Sequence, residues 1–273
     1  MTADPRVRAQ PIQSPYLLTA VTSRRGVGVG VIGDAGNAMV EIAAHGRWSP
    51  RLCEHLTATL TLCLAGPSAA IIVDLHDLTD PYGASLPFWI AASQQARSGP
   101  APVHLTYCLP AAAVLSRRLR TLQGPQPSVF TSVPEARRAI DGRLSRADRL
   151  QTRLQPVPAS IKAARDLVAQ ACRAWHLPDL LDDTCLIVSE LAANAVQHAR
   201  TDFVLTLHHS GSRLHVAIHD CVTTFPHPSE PMPTGPEAML DERGRGLRLV
   251  HTIAVAWGAI PTRDGKVVWA TLE

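Results

Sequence analysis

Between Ala38 and about Asp141, strand-like apolar runs alternate with segments of helical periodicity. The run AAIIVDL (69–75) is rich in β-branched residues and is typical of a strand buried on both faces, and AMVEIAA and PVHLTYC are shorter strand-like runs. The predicted helices cover about 50–64, 84–97 and 110–122, with a last short helix after Ser132. Strands that alternate with helices predict an α/β domain, here residues 36–143.

The order of elements changes after this domain. Residues 141–159 are charged and then proline-bearing, which fits either a linker or the first strand of a second domain. The pattern then predicts two helices, a hairpin, a polar stretch, a helix and a final hairpin, at about 159–175, 180–199, 202–220, 223–243, 245–256 and up to Leu272. Strand pairs separated by helices predict an α+β sandwich in residues 144–273, with the helices on one face of a mainly antiparallel sheet.

The first 35 residues are predicted to be a flexible extension. Their run GVGVGVIGDAGN lacks the GxGxxG spacing and the Lys-Ser/Thr ending of phosphate loops, so we interpret it as a glycine-rich connector. Charges and prolines interrupt the N-terminus where a signal peptide would be apolar, and no later run reaches 18 uncharged apolar residues. We therefore expect a cytoplasmic protein without a membrane partner.

The charge of the chain and the spacing of its cysteines argue against two further classes of function, nucleic-acid binding and zinc binding. A net charge of +3 without a basic block argues against nucleic-acid binding. The six cysteines are scattered without CxxC pairs, which favours reduced thiols over a zinc site. Four histidines are expected to be solvated on exposed strand faces: His208, His209, His215 and His219.

Candidate chemistry begins in the helix predicted at 180–199. Glu190, Asn194 and His198 are spaced four apart and share one stripe, which could also be a solvated face. In the strand SRLHVAIHD, the alternation places Asp220 on the core-facing side. A buried carboxylate needs a partner, and a backbone N–H, a water or the exocyclic amine of an adenine would serve.

Gly244 and Gly246 flank the first residue of the helix predicted at about 245–256. Glycines there allow close approach of phosphate to the unpaired N–H groups of a helix N-terminus. A turn that merely starts a helix would look the same.

Taken in order, ELAANAVQHA, IHDCVTTFP and RGRGLRLV resemble the N-box and the two glycine boxes of GHKL ATPases, in particular the anti-sigma-factor serine kinases. The tail WGAIPTRDGKVVWATL resembles the closing hairpin of that branch. The resemblance runs from Ser160 to Glu273. It implies a Bergerat-fold two-layer α/β sandwich with ATP and Mg²⁺ as cofactors.

The resemblance also implies roles for three side chains. Asn194 would hold the Mg²⁺ that bridges the phosphates. Glu190 would be the catalytic residue that orients or deprotonates the attacking hydroxyl. Asp220 would bind the adenine amine.

Around the phosphates, the resemblance implies that Gly244 and Gly246 wrap the nucleotide, that Arg245 adds a charged contact, and that 223–243 forms a lid. The chain departs from the family in two places. Cys221 and Val222 stand where the first glycine box has DxGxG. Val267 stands where the family often has a threonine near the nucleotide.

The first domain resembles a STAS domain, the fold of anti-sigma-factor antagonists, through IIVDLHDLTD followed by DPYGASL. Active antagonists carry a phosphate-accepting Ser or Thr in the loop that here reads Asp80, Pro81, Tyr82, Gly83. Tyr82 occupies the acceptor position, and Ser85 is out of register. A generic small α/β domain is the alternative.

These resemblances lead to two hypotheses. The first is an ATP-binding serine/threonine kinase that phosphorylates a STAS-type antagonist, sequesters a sigma factor, or does both; a homodimer is compatible with it. The second is a non-catalytic interaction module with weak or no nucleotide turnover, suggested by Val267, the altered glycine box and Tyr82.

Overall fold

The structure is a computed structural model that describes residues 16–17, 27–34, 38–98, 102–122, 126–141, 148–225 and 245–273. Within them the chain is mixed α/β, with seven α-helices and two sheets. The helices are α1 Pro50–Ala65, α2 Leu86–Ser98, α3 Val114–Arg120, α4 Val133–Asp141, α5 Ala159–Ala174, α6 Leu181–Asn194 and α7 Arg245–Ile253. The strands are β1 Tyr16–Leu17, β2 Gly28–Asp34, β3 Met39–Arg47, β4 Ala70–Asp74, β5 Leu78–Thr79, β6 His104–Cys108, β7 Ser128–Phe130, β8 Arg149–Leu154, β9 Phe203–Ser210, β10 Arg213–Asp220, β11 Ala256–Pro261 and β12 Lys266–Leu272.

The first sheet has the order β2-β3-β4-β6-β7, and β5 also pairs with β3. Its pairs are parallel except β2 with β3. Helices α1, α2 and α3 share one hydrophobic cluster with the sheet, and α4 packs in a second cluster on the other face. The Ser49 hydroxyl accepts a hydrogen bond from Leu52 N at 3.3 Å and caps α1, whose first residue is Pro50. The predicted α/β architecture is thus present.

The glycine-rich run is not a connector, and that prediction is wrong. Residues 28–34 form β2, which pairs antiparallel with β3. Val29 and Val31 are buried at 2% and 3% exposure, because alternate residues of the strand face the core. Period-two alternation of valine was therefore the relevant signal, and the first sheet begins before residue 36.

The second sheet has the order β1-β11-β12-β10-β9-β8 and is antiparallel apart from β1, which runs parallel to β11. Helices α5, α6 and α7 cover one face, and their apolar side chains share a core with Phe203, Leu205 and Val216. The segment left open as linker or strand contains β8. The predicted α+β sandwich is confirmed.

The opposite face of the second sheet packs against the first unit. Ile260, Val267 and Trp269 belong to the same hydrophobic cluster as α1. A Cβ at Gly66, just after α1, would lie 3.4 Å from a ring carbon of Trp269. The two sheets therefore share one continuous core, with Trp269 fully buried in it.

This packing overturns the expectation of solvated histidines. His215 is 5% exposed, and its Nδ1 lies 2.8 Å from Thr271 Oγ1. Its ring stacks on His208 with centroids 5.7 Å apart. Burial lowers the pKa of His215 to about 3 and also lowers the pKa of His208. The strand pattern identified the face correctly but could not show that the first unit covers it.

Among the described helices, none has the length and apolar character needed to cross a membrane.

Candidate functional site

The stripe predicted on α6 lies at the edge of the core. Glu190 and Asn194 are both half-buried, while His198 is exposed. Asn194 Nδ2 is buried and has no hydrogen-bond partner among the described residues. A buried amide with one unsatisfied end is costly inside a folded protein, so this end is suited to a ligand.

The helix changes its geometry directly after Asn194. Residues 195–199 form a π-helical segment, which ends at Arg200 with a left-handed φ of 53°. π-helical segments are rare in proteins, and those that occur are often found at functional sites. They change the direction of the side chains that flank them. Asn194 is thus the last side chain of regular α6.

Glu190 meets the N-terminus of α7. A Cβ at Gly246 would collide with Glu190 Oε2 and would lie 3.2 Å from Glu190 Cδ. Only glycine therefore allows α7 to start here with the carboxylate in place. The first N–H groups of α7 lack intrahelical partners and form the positive end of the helix dipole, so a phosphate would be favoured beside them.

Parts of the predicted phosphate-binding region lie outside the described residues. Gly244 is among them, as is 226–243 of the predicted lid. Arg245 begins α7, and its side chain is not described.

Asp220 closes β10 on the face that the alternation predicted. It is 4% exposed and shares this face with Val216 and Ile218, which lie in the core under the helices. The Lys266 ammonium lies 2.8 Å from Asp220 Oδ1, and Val222 N–H donates to the same oxygen at 2.9 Å. The carboxylate thus has a cationic partner that sequence reasoning missed. The two residues are opposite each other in the β10–β12 register.

Gly265 explains how β12 reaches Asp220. A Cβ there would collide with the Asp220 carbonyl oxygen and would lie 2.7 Å from Cys221 Cα. The close approach brings Lys266, which is 8% exposed, onto the Asp220 carboxylate. Lys266 Nζ also donates to Val222 O at 3.0 Å.

The Val267 side chain lies on the face of β12 opposite the Lys266 side chain. Its side chain is 6% exposed and lies in the core shared with the first unit. The expectation that Val267 removes a hydroxyl from the nucleotide site is therefore wrong for this chain. Lys266, one residue earlier, is the β12 side chain on the site's face.

Helix α6 packs against β10, β12 and α7, so the candidate residues lie on the helix-bearing side of the second sheet. Within the described residues no three His, Cys, Asp or Glu side chains form a metal-binding group. Mg²⁺ at nucleotide sites uses one or two protein oxygens together with phosphate oxygens. The Glu190 carboxylate beside α7 and the Asn194 side-chain oxygen would be these protein oxygens, and the unpaired Asn194 Nδ2 would donate to a phosphate oxygen.

In the loop at residues 80–85, the Ser85 side chain is buried and hydrogen-bonded to Asp80. Asp80 accepts hydrogen bonds from Ala84 N at 2.8 Å and from Ser85 N and Oγ at 3.0 and 2.6 Å. Ser85 is fully buried, and Trp89 Nε1 donates to its hydroxyl at 2.9 Å. Tyr82, in contrast, is 78% exposed.

Comparison with known proteins supports the second half of the predicted layout. Residues 154–272 match the model of the histidine kinase-like ATPase domain. No curated protein matches the chain. Among solved structures, the chain is similar to an anti-sigma factor antagonist from Mycobacterium paratuberculosis, at 12% identity, over 44% of this chain and 98% of that chain, with a TM-score of 0.34. A TM-score of 0.34 does not establish a shared fold.

Proposed function

We propose that the second unit binds ATP with Mg²⁺ and transfers the γ-phosphoryl group to a serine or threonine of a STAS-type partner. The observation that supports this function is the position of Glu190 beside Gly246 at the α7 N-terminus, within the segment that matches the histidine kinase-like ATPase domain. Asn194 lies on the same stripe of α6, and Asp220 lies on the helix-bearing face of the sheet. A domain of this type implies ATP binding. Phosphotransfer depends on Glu190.

Each residue has a physical task in this reaction. Asp220 accepts a hydrogen bond from the exocyclic amine of the adenine, and the α7 N-terminus with Gly246 receives the phosphates. Asn194 would hold Mg²⁺, which when bound neutralises phosphate charge. Glu190 orients the acceptor hydroxyl and takes its proton. The hydroxyl oxygen bonds to the γ-phosphorus, the bond to the bridging oxygen breaks, and ADP leaves.

We further propose that the acceptor lies on another chain. The nucleotide face carries α5, α6 and α7, and the first unit packs on the opposite face of the same sheet. Ser85 is buried, and Tyr82 is a poor acceptor for a serine/threonine site because its phenol is long and rigid. The partner is therefore a separate STAS-type antagonist in the cytoplasm. Sequestration of a sigma factor and formation of a homodimer are compatible with this proposal.

The test is transfer of labelled phosphate from ATP to purified STAS proteins by the full chain. The variant Glu190→Gln keeps the side-chain shape beside Gly246 and removes the base, so we expect transfer to fall by about 100-fold or more while nucleotide binding changes little. Asp183→Asn is the matched control, because Asp183 is an exposed carboxylate on the same helix. Equal transfer by Glu190→Gln and the parent chain would refute the catalytic role.

A non-catalytic interaction module is the second candidate. The first glycine box reads Cys221-Val222 without its glycines, and Tyr82 replaces an acceptor in the first unit. If calorimetric titration of the full chain with ATP and Mg²⁺ gives no binding, this second function replaces the first.

A further inference from the structure

Lys266 is one of only two lysines in the chain and is almost fully buried. The other, Lys162, is exposed on α5. Burying an ammonium group is unfavourable unless it is paired and hydrogen-bonded. Lys266 meets this condition through the Asp220 carboxylate at 2.8 Å and the Val222 carbonyl at 3.0 Å.

The two donors that reach the Asp220 carboxylate from the described residues converge on Oδ1. A carboxylate has acceptor sites on both oxygens, so Oδ2 is left for a further donor. The exocyclic amine of adenine is such a donor. Guanine has a carbonyl oxygen at the same ring position, which an ionised carboxylate repels.

We propose that Lys266 is a positioning residue for base recognition: its contact with Oδ1 keeps the Asp220 carboxylate turned so that Oδ2 accepts the exocyclic amine of adenine. This role deepens the proposed function and rests on it for nucleotide binding. Lys266 acts through Asp220 and sets the preference for ATP over GTP.

Among the described residues, the charged neighbours of Asp220 on β10 and β12 point away from its carboxylate, apart from Lys266. His219 points to the opposite face of β10, where its Nε2 lies 3.1 Å from Asp264 Oδ1. Cys221 is exposed at the end of the strand. Among the described residues, Lys266 is the cation in contact with the Asp220 carboxylate. Without Lys266, Val222 N–H alone would hold Asp220 Oδ1, and the carboxylate would be freer to rotate.

The experiment is calorimetric titration of the full chain with ATP or GTP, each with Mg²⁺. We expect the parent chain to prefer ATP. Lys266→Met should weaken ATP binding by about tenfold and lose much of the preference over GTP, because the Asp220 carboxylate is no longer held in position. Lys266→Arg should restore the preference for ATP, and Lys162→Met is the matched control.

The outcomes separate this role from the proposed function. Absence of nucleotide binding by the parent chain would overturn both. Parent binding together with unchanged binding by Lys266→Met, or with a loss that is equal for both nucleotides, overturns the positioning role alone.

Thermal unfolding shows whether Lys266→Met folds. If it does not, Asp220→Asn combined with Lys266→Met replaces the ion pair by a neutral pair. We then expect ATP binding about tenfold weaker than in the parent chain, with the preference over GTP lost. Binding as tight as that of the parent chain would overturn the role.

Discussion

The contact between Gly246 and Glu190 allows a test that separates stability from catalysis. In Gly246→Ala, the new Cβ would collide with Glu190 Oε2 and lie 3.2 Å from Cδ. The carboxylate is the far end of a flexible side chain, so it can turn away at a cost of about 0.5–1.5 kcal/mol. Alanine in place of glycine gains up to about 1 kcal/mol in a helix. The two effects nearly cancel, and we expect the free energy of unfolding to change by less than about 1 kcal/mol.

Catalysis should respond far more strongly. A displacement of about 1 Å at a catalytic group costs about 100-fold in rate, so we expect phosphate transfer to fall by about that factor. The assay pairs the transfer rate with the midpoint of thermal unfolding.

Gly30→Ala is the control, because a Cβ there lies at an ordinary 3.8 Å from Ala43 Cβ in the first sheet. Undiminished transfer by Gly246→Ala in a folded protein would show that Glu190 is not held in position at the α7 N-terminus.

Two further predictions concern the first unit and its interface. Burial lowers the pKa of His215 to about 3, below the value of about 6.5 in an unfolded chain. The contribution of the buried neutral ring to stability is therefore complete above about pH 6.5 and is lost as the pH falls towards 3. The free energy of unfolding should fall by up to about 1.4 kcal/mol per pH unit in this range. Denaturant unfolding between about pH 5 and about pH 7 should show this slope reduced in His215→Gln, and an unchanged slope would contradict the assignment. Tyr82→Ser places a hydroxyl on the exposed loop, and labelled ATP should then mark this chain in trans, whereas Ser85→Ala should leave labelling unchanged. Two results would count against transfer between chains. One is that the Tyr82→Ser chain is not labelled at all, and the other is that each molecule labels only itself.

The sequence predicted reliably which residues share one face of a helix or strand. It predicted less reliably which part of the protein packs against that face. Helical spacing placed Glu190 and Asn194 on one stripe, and strand alternation placed Asp220 on the core side of β10. The same alternation assigned His215 to the other face, and His215 was therefore predicted to be solvated. That prediction was wrong because a period of two carries no information about a neighbouring domain.

The partner of Asp220 was missed for a related reason. Lys266 is 46 residues further along the chain, and the contact exists only because β12 pairs with β10 in a particular register. Register depends on the turn at Gly265 and on the packing of both strand faces. The valine alternation of β2, in contrast, was present in the sequence and was hidden by its glycines.

The face of the second sheet opposite α5, α6 and α7 shares a core with the first unit. Through this core, a ligand that binds the second unit would also affect the unfolding of the first unit. A ligand that binds only the folded state stabilises it by about 2.7 kcal/mol at 100 times its dissociation constant. Since Trp269 and Ile260 are buried against the first unit, neither sheet can unfold without exposing the core of the other. Nucleotide on one face would therefore slow proteolysis of the loops on the far side of the molecule, and the chain's resistance to proteases would follow the supply of ATP.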